Sequence, residues 1–299
     1  MAYSPFNHTG QWTQWAQFLK SIRAYLDQKG YTEVSTPHLV EVGAFESTID
    51  TLRVSYSTGS AELHSSPEIE MKKILALFEK PIYQICKSFR DDPPTPTHAI
   101  EFTLLEFYRP MCSSRSLEKE TLNLISAVST KQPVIKTESV YDLILKKTGI
   151  NLDTATDSQE LARQVKKLTS IHVTSGDSWS DIFFKIMIEL IEPSLPPDTL
   201  YLLNQYPSAV SPLSKTIPNS SKADRFEIYW KGMELCNGCS ELTDAAALKR
   251  RYQMESQDRI KAGKSPHPEP KDLFLSASKI DGASGVAIGL ERLFKALNS

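Results

Sequence analysis

The stretch that decides the fold runs from Ile82 to Arg109 and reads IYQICKSFRDDPPTPTHAIEFTLLEFYR. Its two-residue periodicity predicts two strands, Ile82 to Arg90 and Glu101 to Arg109, which a proline-rich loop joins into a long hairpin. One face of the second strand carries Phe102, Leu104, Glu106 and Tyr108. Because that face is suited to burial, the charge of Glu106 requires a partner. Either a cationic ligand such as an amine or a salt bridge from a distant helix would meet this need.

The segments around this hairpin are predicted mainly as helices. Apolar residues recur at steps of three and four between Trp12 and Leu26, which predicts an amphipathic helix ending at Gly30. Tyr31 to Pro37 is predicted as a strand. The sequence SSPE at 65–68 is typical of a helix start, with a serine cap and an early proline. Helical periodicity from Ser116 to about Ile191 predicts a helical insertion, rather than sheet, within about residues 111–200.

A second hairpin is predicted between Arg225 and Cys236, with a two-residue turn at Lys231-Gly232. In that register Glu227 lies opposite Cys236, and Glu227 and Glu234 project from the same face. Two neighbouring carboxylates can hold a divalent cation, although solvated strand positions are the commoner role of glutamate. A helix from Ala245 to about Ala262 follows.

Composition limits the class of protein. The chain has 299 residues, 40% hydrophobic and 23% charged, which is ordinary for a globular protein. A net charge of −2 lacks the positive field of a dedicated nucleic-acid binder. The basic residues between Lys249 and Lys264 are interpreted as a docking surface for an acidic macromolecule or, more commonly, as a solvated helix face. Four cysteines, no leader pattern and no long apolar run predict a cytoplasmic protein without a membrane span.

Taken in chain order, these segments resemble the three motifs of class II aminoacyl-tRNA synthetases, most closely the lysine branch. The first motif is GYTEVSTP at 30–37, the second joins FRDD at 89–92 to EFTLLEFY at 101–108, and the third is GVAIGLERL at 285–293. RFE at 225–227 and ELCNGCSEL at 234–242 resemble the lysine-type signature. The resemblance implies an α+β fold, a mainly antiparallel sheet flanked by helices, in a single catalytic domain over residues 1–299.

Only one predicted helix precedes the first motif, so we expect no anticodon-binding domain. The chain resembles short lysyl-tRNA synthetase paralogues, which implies a homodimeric, ATP- and Mg²⁺-dependent ligase. Such an enzyme activates lysine or (R)-β-lysine as an adenylate and transfers it to a lysine of elongation factor P. The weak overall charge argues against tRNA as a partner. The alternatives are a minimal lysyl-tRNA synthetase-like protein that charges tRNA or another acceptor, and a catalytically degenerate regulatory paralogue.

The same resemblance implies a role for individual residues. Catalytic contacts to the phosphates fall to Arg90 and Arg292, and magnesium ligation falls to Glu227 and Glu234. The rest of the ATP site comprises Asp92, His98, Phe102, Leu235 and Gly289. The amino-acid substrate would be bound by Ser66, Glu68, Glu106, Tyr108, Glu241 and Ala287. Asp92, Ala99 and Cys239 depart from the residues usual in the family.

Overall fold

An eight-stranded sheet forms the centre of the molecule in a computed structural model, which describes residues 9–95, 98–280 and 282–299. The strands are β1 (Thr32–Glu33), β2 (Leu39–Val40), β3 (Leu52–Tyr56), β4 (Gly59–Leu63), β5 (Ile82–Phe89), β6 (Glu101–Pro110), β7 (Val134–Ser139), β8 (Thr199–Asn204), β9 (Arg225–Trp230), β10 (Met233–Ser240) and β11 (Ala283–Gly289). The helices are α1 (Thr9–Gln28), α2 (Glu68–Phe78), α3 (Ser114–Val128), α4 (Val140–Thr148), α5 (Ser158–Leu168), α6 (Trp179–Ile186), α7 (Ala245–Lys261), α8 (Lys271–Ala277) and α9 (Leu290–Leu297).

The strand order in the central sheet is β1-β5-β6-β11-β10-β9-β8-β7. Its two outermost pairs, β1 with β5 and β7 with β8, are parallel, and the five inner pairs are antiparallel. A separate three-stranded sheet has the order β2-β4-β3. This arrangement confirms the predicted α+β fold with a mainly antiparallel sheet, whereas the small second sheet had not been anticipated. Among the described residues, no helix combines the length and apolarity needed to cross a bilayer.

The first predicted hairpin is confirmed. Ile82 lies opposite Tyr108, and Phe89 lies opposite Glu101. The backbone N–H of Arg90 donates to the carbonyl of Ile100 at 3.0 Å, which closes the strand ends below the loop. The predictions for residues 1–8 and for loop positions 96–97 fall outside the described residues.

Helices α1, α3 and α9 bury apolar side chains against the sheet. The predicted first helix is confirmed: Ile22 and Leu26 are fully buried, and they belong to the same cluster as Leu124 of α3 and Leu293 of α9. Fixing these helices against the sheet gives the strand ends a rigid support, because side chains in such a core are closely packed. The predicted strand at Tyr31 to Pro37 is reduced to the two residues of β1.

The prediction that Ser116 to Ile191 is helical throughout is wrong at Val134–Ser139. This segment forms β7, which extends the central sheet by pairing with β8. The helices α4, α5 and α6 cover that extension with a cluster of their own, which also includes Leu203 of β8 and Tyr229 of β9. A π-helical turn at Met187–Ile191 and a 3-10 turn at Glu192–Ser194 end the helical part. Periodicity missed β7 because a six-residue edge strand between amphipathic helices is too short to dominate the pattern.

The second hairpin forms with the predicted turn, but its register changes along the strands. Lys231 and Gly232 both adopt positive φ, 53° and 71°, as a tight hairpin turn requires. Glu234 lies opposite Tyr229 as expected, but a β-bulge follows, so Glu227 lies opposite Asn237 and not opposite Cys236. Such a bulge shifts the side-chain alternation by one residue.

The bulge decides which side chains of β10 face the site. Beyond it, Asn237 shares the face of Glu227, whereas Cys236 packs into the core beneath the sheet. Two-residue alternation from Asn237 then brings Cys239 and Glu241 to the face of Glu227 and Glu234. Without the extra residue, Glu241 would point to the opposite face.

Candidate active site

A cavity of about 1130 Å³ opens over β6, β9, β10 and β11. This volume lies slightly above the roughly 300–1,000 Å³ common for ligand sites, so it suits two substrates side by side. The start of α2 and the segment 43–50, which we call the rim loop, complete its wall. All the site residues named from the sequence line it: Ser66, Glu68, Arg90, Asp92, His98, Phe102, Glu106, Tyr108, Glu227, Glu234, Leu235, Glu241, Ala287, Gly289 and Arg292.

One end of the cavity is cationic. The guanidinium carbon of Arg90 lies 5.6 Å from the centre of the Phe102 ring. Arg292, near the start of α9, donates to the backbone carbonyl of Glu234 at 3.0 Å. Burial and the charges of Arg292 and Arg90 lower the pKa of His98, so its imidazole is neutral at pH 7. Two arginines and a neutral ring at one end of a cavity fit an anionic, aromatic ligand.

A pair of carboxylates borders the cationic end. Glu227 is buried and accepts hydrogen bonds from Tyr206 at 2.5 Å, Tyr229 at 2.6 Å and Arg225 at 2.5 Å. Burial and the nearby charge of Glu227 raise the pKa of Glu234 to about 7. Two neighbouring carboxylates that repel each other are suited to a hard divalent cation. Arg225 pairs with Glu227 at 2.5 Å, whereas Arg292 lies 3.8 Å from Glu234, so Glu234 is the less tightly paired of the two.

The other end of the cavity is acidic. Glu106 is 1% exposed, and its two oxygens accept from Ser66 Oγ at 2.5 Å and from the Tyr108 hydroxyl at 2.9 Å. Both donors are neutral, so burial and the charge of Glu68 raise the pKa of Glu106 to about 8. Ser66 Oγ also accepts from the backbone N–H of Glu68 at 3.0 Å, but Pro67 occupies the cap position of α2, so the predicted serine cap is wrong by one residue. A buried carboxylate held only by hydroxyls is suited to receive an ammonium group.

Lys72 is the cation of this end, and the sequence reasoning missed it. Its Nζ lies 2.5 Å from Glu68 Oε1 and 2.5 Å from Glu241 Oε2, and the side chain is 4% exposed. Burial alone would lower the pKa of Lys72, but the two carboxylates outweigh it and raise this pKa. The four-residue spacing of Glu68 and Lys72 on one helix was the signal available in the sequence.

The rim loop contributes a further carboxylate, Glu46, which the sequence reasoning also missed. Burial and the charge of Glu68 raise the pKa of Glu46, and Arg90 opposes that change. Glu46 therefore lies in the field of both ends of the cavity, although no motif marks it.

Arg259 of α7 holds the rim loop in place. Its guanidinium donates to the carbonyls of Ser47 at 3.1 Å and Ile49 at 2.9 Å, and to Asp50 at 3.0 Å. Arg259 is 8% exposed. Its interpretation as part of a solvated or docking basic face is therefore wrong, because this side chain is directed inward to backbone carbonyls.

The floor of the acidic end depends on two small residues of β11. Ala287 pairs with Glu106, and Gly285 pairs with Tyr108. A Cβ at Gly285 would lie 2.2 Å from the Tyr108 ring and 2.6 Å from Glu241 Oε1. Glycine is needed at 285 because any side chain would displace two groups of the acidic end.

Comparison with known proteins agrees with this geometry. The family model for class II tRNA synthetases (D, K and N) matches residues 13–299, and the chain belongs to this family. Fold, cavity and family together define an ATP-dependent amino-acid ligase.

The individual relatives are more specific. "Elongation factor P--(R)-beta-lysine ligase" of Haemophilus influenzae (strain PittGG) is 31% identical over 93% of this chain and 88% of the relative. The protein of that name from Edwardsiella ictaluri is 30% identical over the same shares. A homolog of this ligase from Aquifex aeolicus is 28% identical over 94% of this chain and 92% of the relative.

Proposed function

We propose that this protein activates lysine or (R)-β-lysine with ATP and transfers the aminoacyl group to a lysine side chain of elongation factor P. The observation that carries the proposal is the polarity of one cavity, with Arg90 and Arg292 at one end and three carboxylates around Lys72 at the other. An adenylate-forming ligase for a diamino acid needs these two ends together. The printed names of the relatives support the choice of substrate and acceptor.

The cationic end is assigned to ATP. Arg90 and Arg292 would bind phosphates, because guanidinium groups match phosphate oxygens in charge and geometry. Phe102 would stack on the adenine, and Asp92, His98, Leu235 and Gly289 would frame the nucleotide. Glu234 with Glu227 would hold Mg²⁺, which would neutralise charge on the phosphate oxygens.

The acidic end is assigned to the amino acid. Ser66 and Glu68 would lie by its α- or β-amine, and Glu106, Tyr108 and Glu241 would receive the ε-ammonium. Ala287, directly opposite Glu106 on the neighbouring strand, would shape the space available to the carbon chain. An amino acid with a neutral side chain would bring no cation to Glu106 and would lose the ion pair that favours lysine.

The proposed chemistry has two steps and no side-chain nucleophile. A carboxylate oxygen of the amino acid attacks the α-phosphorus of ATP, the α–β phosphoanhydride bond breaks, and pyrophosphate leaves. The lysine amine of the acceptor then attacks the adenylate carbonyl, losing a proton as AMP leaves and an amide forms. The residues contribute positioning of the carboxylate and charge stabilisation by Arg90.

Pyrophosphate exchange into ATP tests the activation step. Arg90→Ala should lower exchange dependent on lysine or (R)-β-lysine by roughly 10²-fold or more, since Arg90 contacts the charge that develops in the transition state. The matched control is Arg163→Ala, because Arg163 is paired with Glu160 on α5 and does not line the cavity. Equal exchange in both variants would refute the assignment.

Transfer of labelled amino acid tests the acceptor. Label should appear in elongation factor P and not in tRNA. Label in tRNA would favour the minimal synthetase. Absence of pyrophosphate exchange with every lysine isomer would favour a degenerate paralogue, an alternative that Asp92, Ala99 and Cys239 keep open.

We also propose a cytoplasmic location, consistent with four free cysteines. The homodimer remains a prediction that light scattering can check.

A further inference from the structure

The ammonium of Lys72 occupies the kind of position that a substrate ammonium needs. It bridges Glu68, at the start of α2, to Glu241, just beyond β10. These two carboxylates belong to segments that are far apart in the sequence, and both line the cavity. A cation that contacts two carboxylates at 2.5 Å while almost fully buried fixes the position of both.

Charge at this end can be counted from the three carboxylates closest to the substrate position. Glu68, Glu106 and Glu241 carry three negative charges when ionised, and Lys72 returns one positive charge. The remaining charge of −2 would balance the charge of +2 on the two ammonium groups of a diamino acid. Glu46 feels the charge of Glu68 as well as that of Arg90, and we leave it out of this count because Arg90 opposes its charge.

We propose that Lys72 is a positioning residue that determines specificity: a built-in ammonium that bridges Glu68 and Glu241 and holds both carboxylates in place for a diamino acid. The inference rests on the proposed function and assigns to Lys72 a role within the same site. Lys72 acts through the two carboxylates, and the substrate cation is received by Glu106 and by the faces of Glu68 and Glu241 that Lys72 leaves open.

Loss of the ammonium would change the protonation of the site. Lys72 is the largest influence opposing the effect of burial on Glu241, whose pKa is nevertheless raised to about 7. Without Lys72 the pKa of Glu241 rises further. The first added unit lowers the ionised fraction of Glu241 at pH 7 about fivefold, and the next unit about tenfold. The charged and titratable groups that face this region are Glu68 of α2, Glu241 and Cys239 from β10 and its end, Glu106 and Tyr108 of β6, and Glu46 and Arg90 at the rim.

Chemical rescue tests the proposal. In Lys72→Ala, the KM for lysine in pyrophosphate exchange should rise about tenfold or more at pH 7. Propylammonium added to the assay should restore much of the loss, because it can place an ammonium between Glu68 and Glu241. Propanol, which has a similar shape and no charge, should restore nothing. Lys72→Arg should retain most of the affinity, and wild type should not respond to propylammonium.

A second variant keeps the test decisive if Lys72→Ala does not fold. Lys72→Met fills the space of the side chain stem, and its KM for lysine should approach the wild-type value as the pH rises from 7 to 9. Two results would show that Lys72 has only a packing role: equal rescue by propanol and propylammonium, or a KM for lysine in Lys72→Met that is raised but independent of pH. Either result would overturn this inference and leave the proposed function standing. A wild-type protein without exchange on either lysine isomer would overturn the proposed function, and the inference with it.

Discussion

Replacing Glu106 by glutamine should make the protein more stable and a worse enzyme. In the ligand-free protein the pKa of Glu106 is raised from 4.5 to about 8, because the carboxyl is buried and Glu68 is close. For an acid whose folded pKa is raised, the folded state holds the proton more tightly than the unfolded state. Stability is therefore lost as the pH rises from about 4.5 to about 8, and the loss is complete above that range.

The rise in the pKa of Glu106 corresponds to roughly 5 kcal/mol. This value is the upper limit for the decrease in the free energy of unfolding when Glu106 ionises. Glu106→Gln mimics the protonated group, but its amide must still share Ser66 and Tyr108, so we expect a gain of about 1–3 kcal/mol at pH 9. Below pH 5 the gain should vanish. Loss of the carboxylate should also raise the KM for lysine about thirtyfold or more, equivalent to roughly 2 kcal/mol.

Urea unfolding at pH 5, 7 and 9, followed by tryptophan fluorescence, measures the first effect, and pyrophosphate exchange measures the second. Glu189→Gln is the matched control, since Glu189 is exposed and away from the cavity. A stability difference that does not change with pH would refute the argument from burial. An unchanged KM for lysine would refute the role of Glu106 as receptor of the ammonium.

Three further changes test other parts of the site. Gly285→Ala should raise the KM for lysine with little effect on that for ATP, because the added Cβ displaces Tyr108 and Glu241; equal effects on both would contradict this. Arg259→Met should loosen the rim loop, lowering the free energy of unfolding by about 1–3 kcal/mol and increasing amide hydrogen exchange within residues 43–50. Unchanged hydrogen exchange within residues 43–50 would argue against a role of Arg259 in holding the rim loop. Glu234→Gln should raise the Mg²⁺ concentration for half-maximal exchange about tenfold or more while leaving lysine binding unaltered, and a changed KM for lysine alone would oppose the metal assignment.

Much of the fold could be predicted because its signals are local. The hairpin of β5 and β6 follows from alternation, α1 from helical spacing, and the turn at Lys231-Gly232 from the conformations that glycine permits. The strand β7 could not be predicted in this way. It is defined by pairing with β8, which follows it in the chain after three helices.

The candidate site shows the same division. Motif residues such as Arg90 and Glu106 could be named from the sequence, since Arg90 directly follows β5, Glu106 lies on β6, and both fall within the motif that resembles a known family. Glu46 could not be named in this way. It lies on the rim loop, whose position depends on Arg259 of α7, and neither residue belongs to one of the motifs. Lys72 could be placed on a helix face with Glu68, but its second partner, Glu241, lies 169 positions further along the chain.

The sequence by itself determined the two hairpins and the inventory of charged groups, because these depend on residue type and on spacing over a few positions. The resemblance of its motifs to those of a known family implied the class of fold. Only the tertiary structure decided how those charges meet. The bulge after Glu234 brings Glu241 onto the face of the cavity, and the packing of α2 beside the sheet places Lys72 against it. Strand register and burial decide that Glu241 is paired with Lys72 and that Glu106 has only hydroxyl partners. Register and burial both arise from contacts between segments that are distant in the chain.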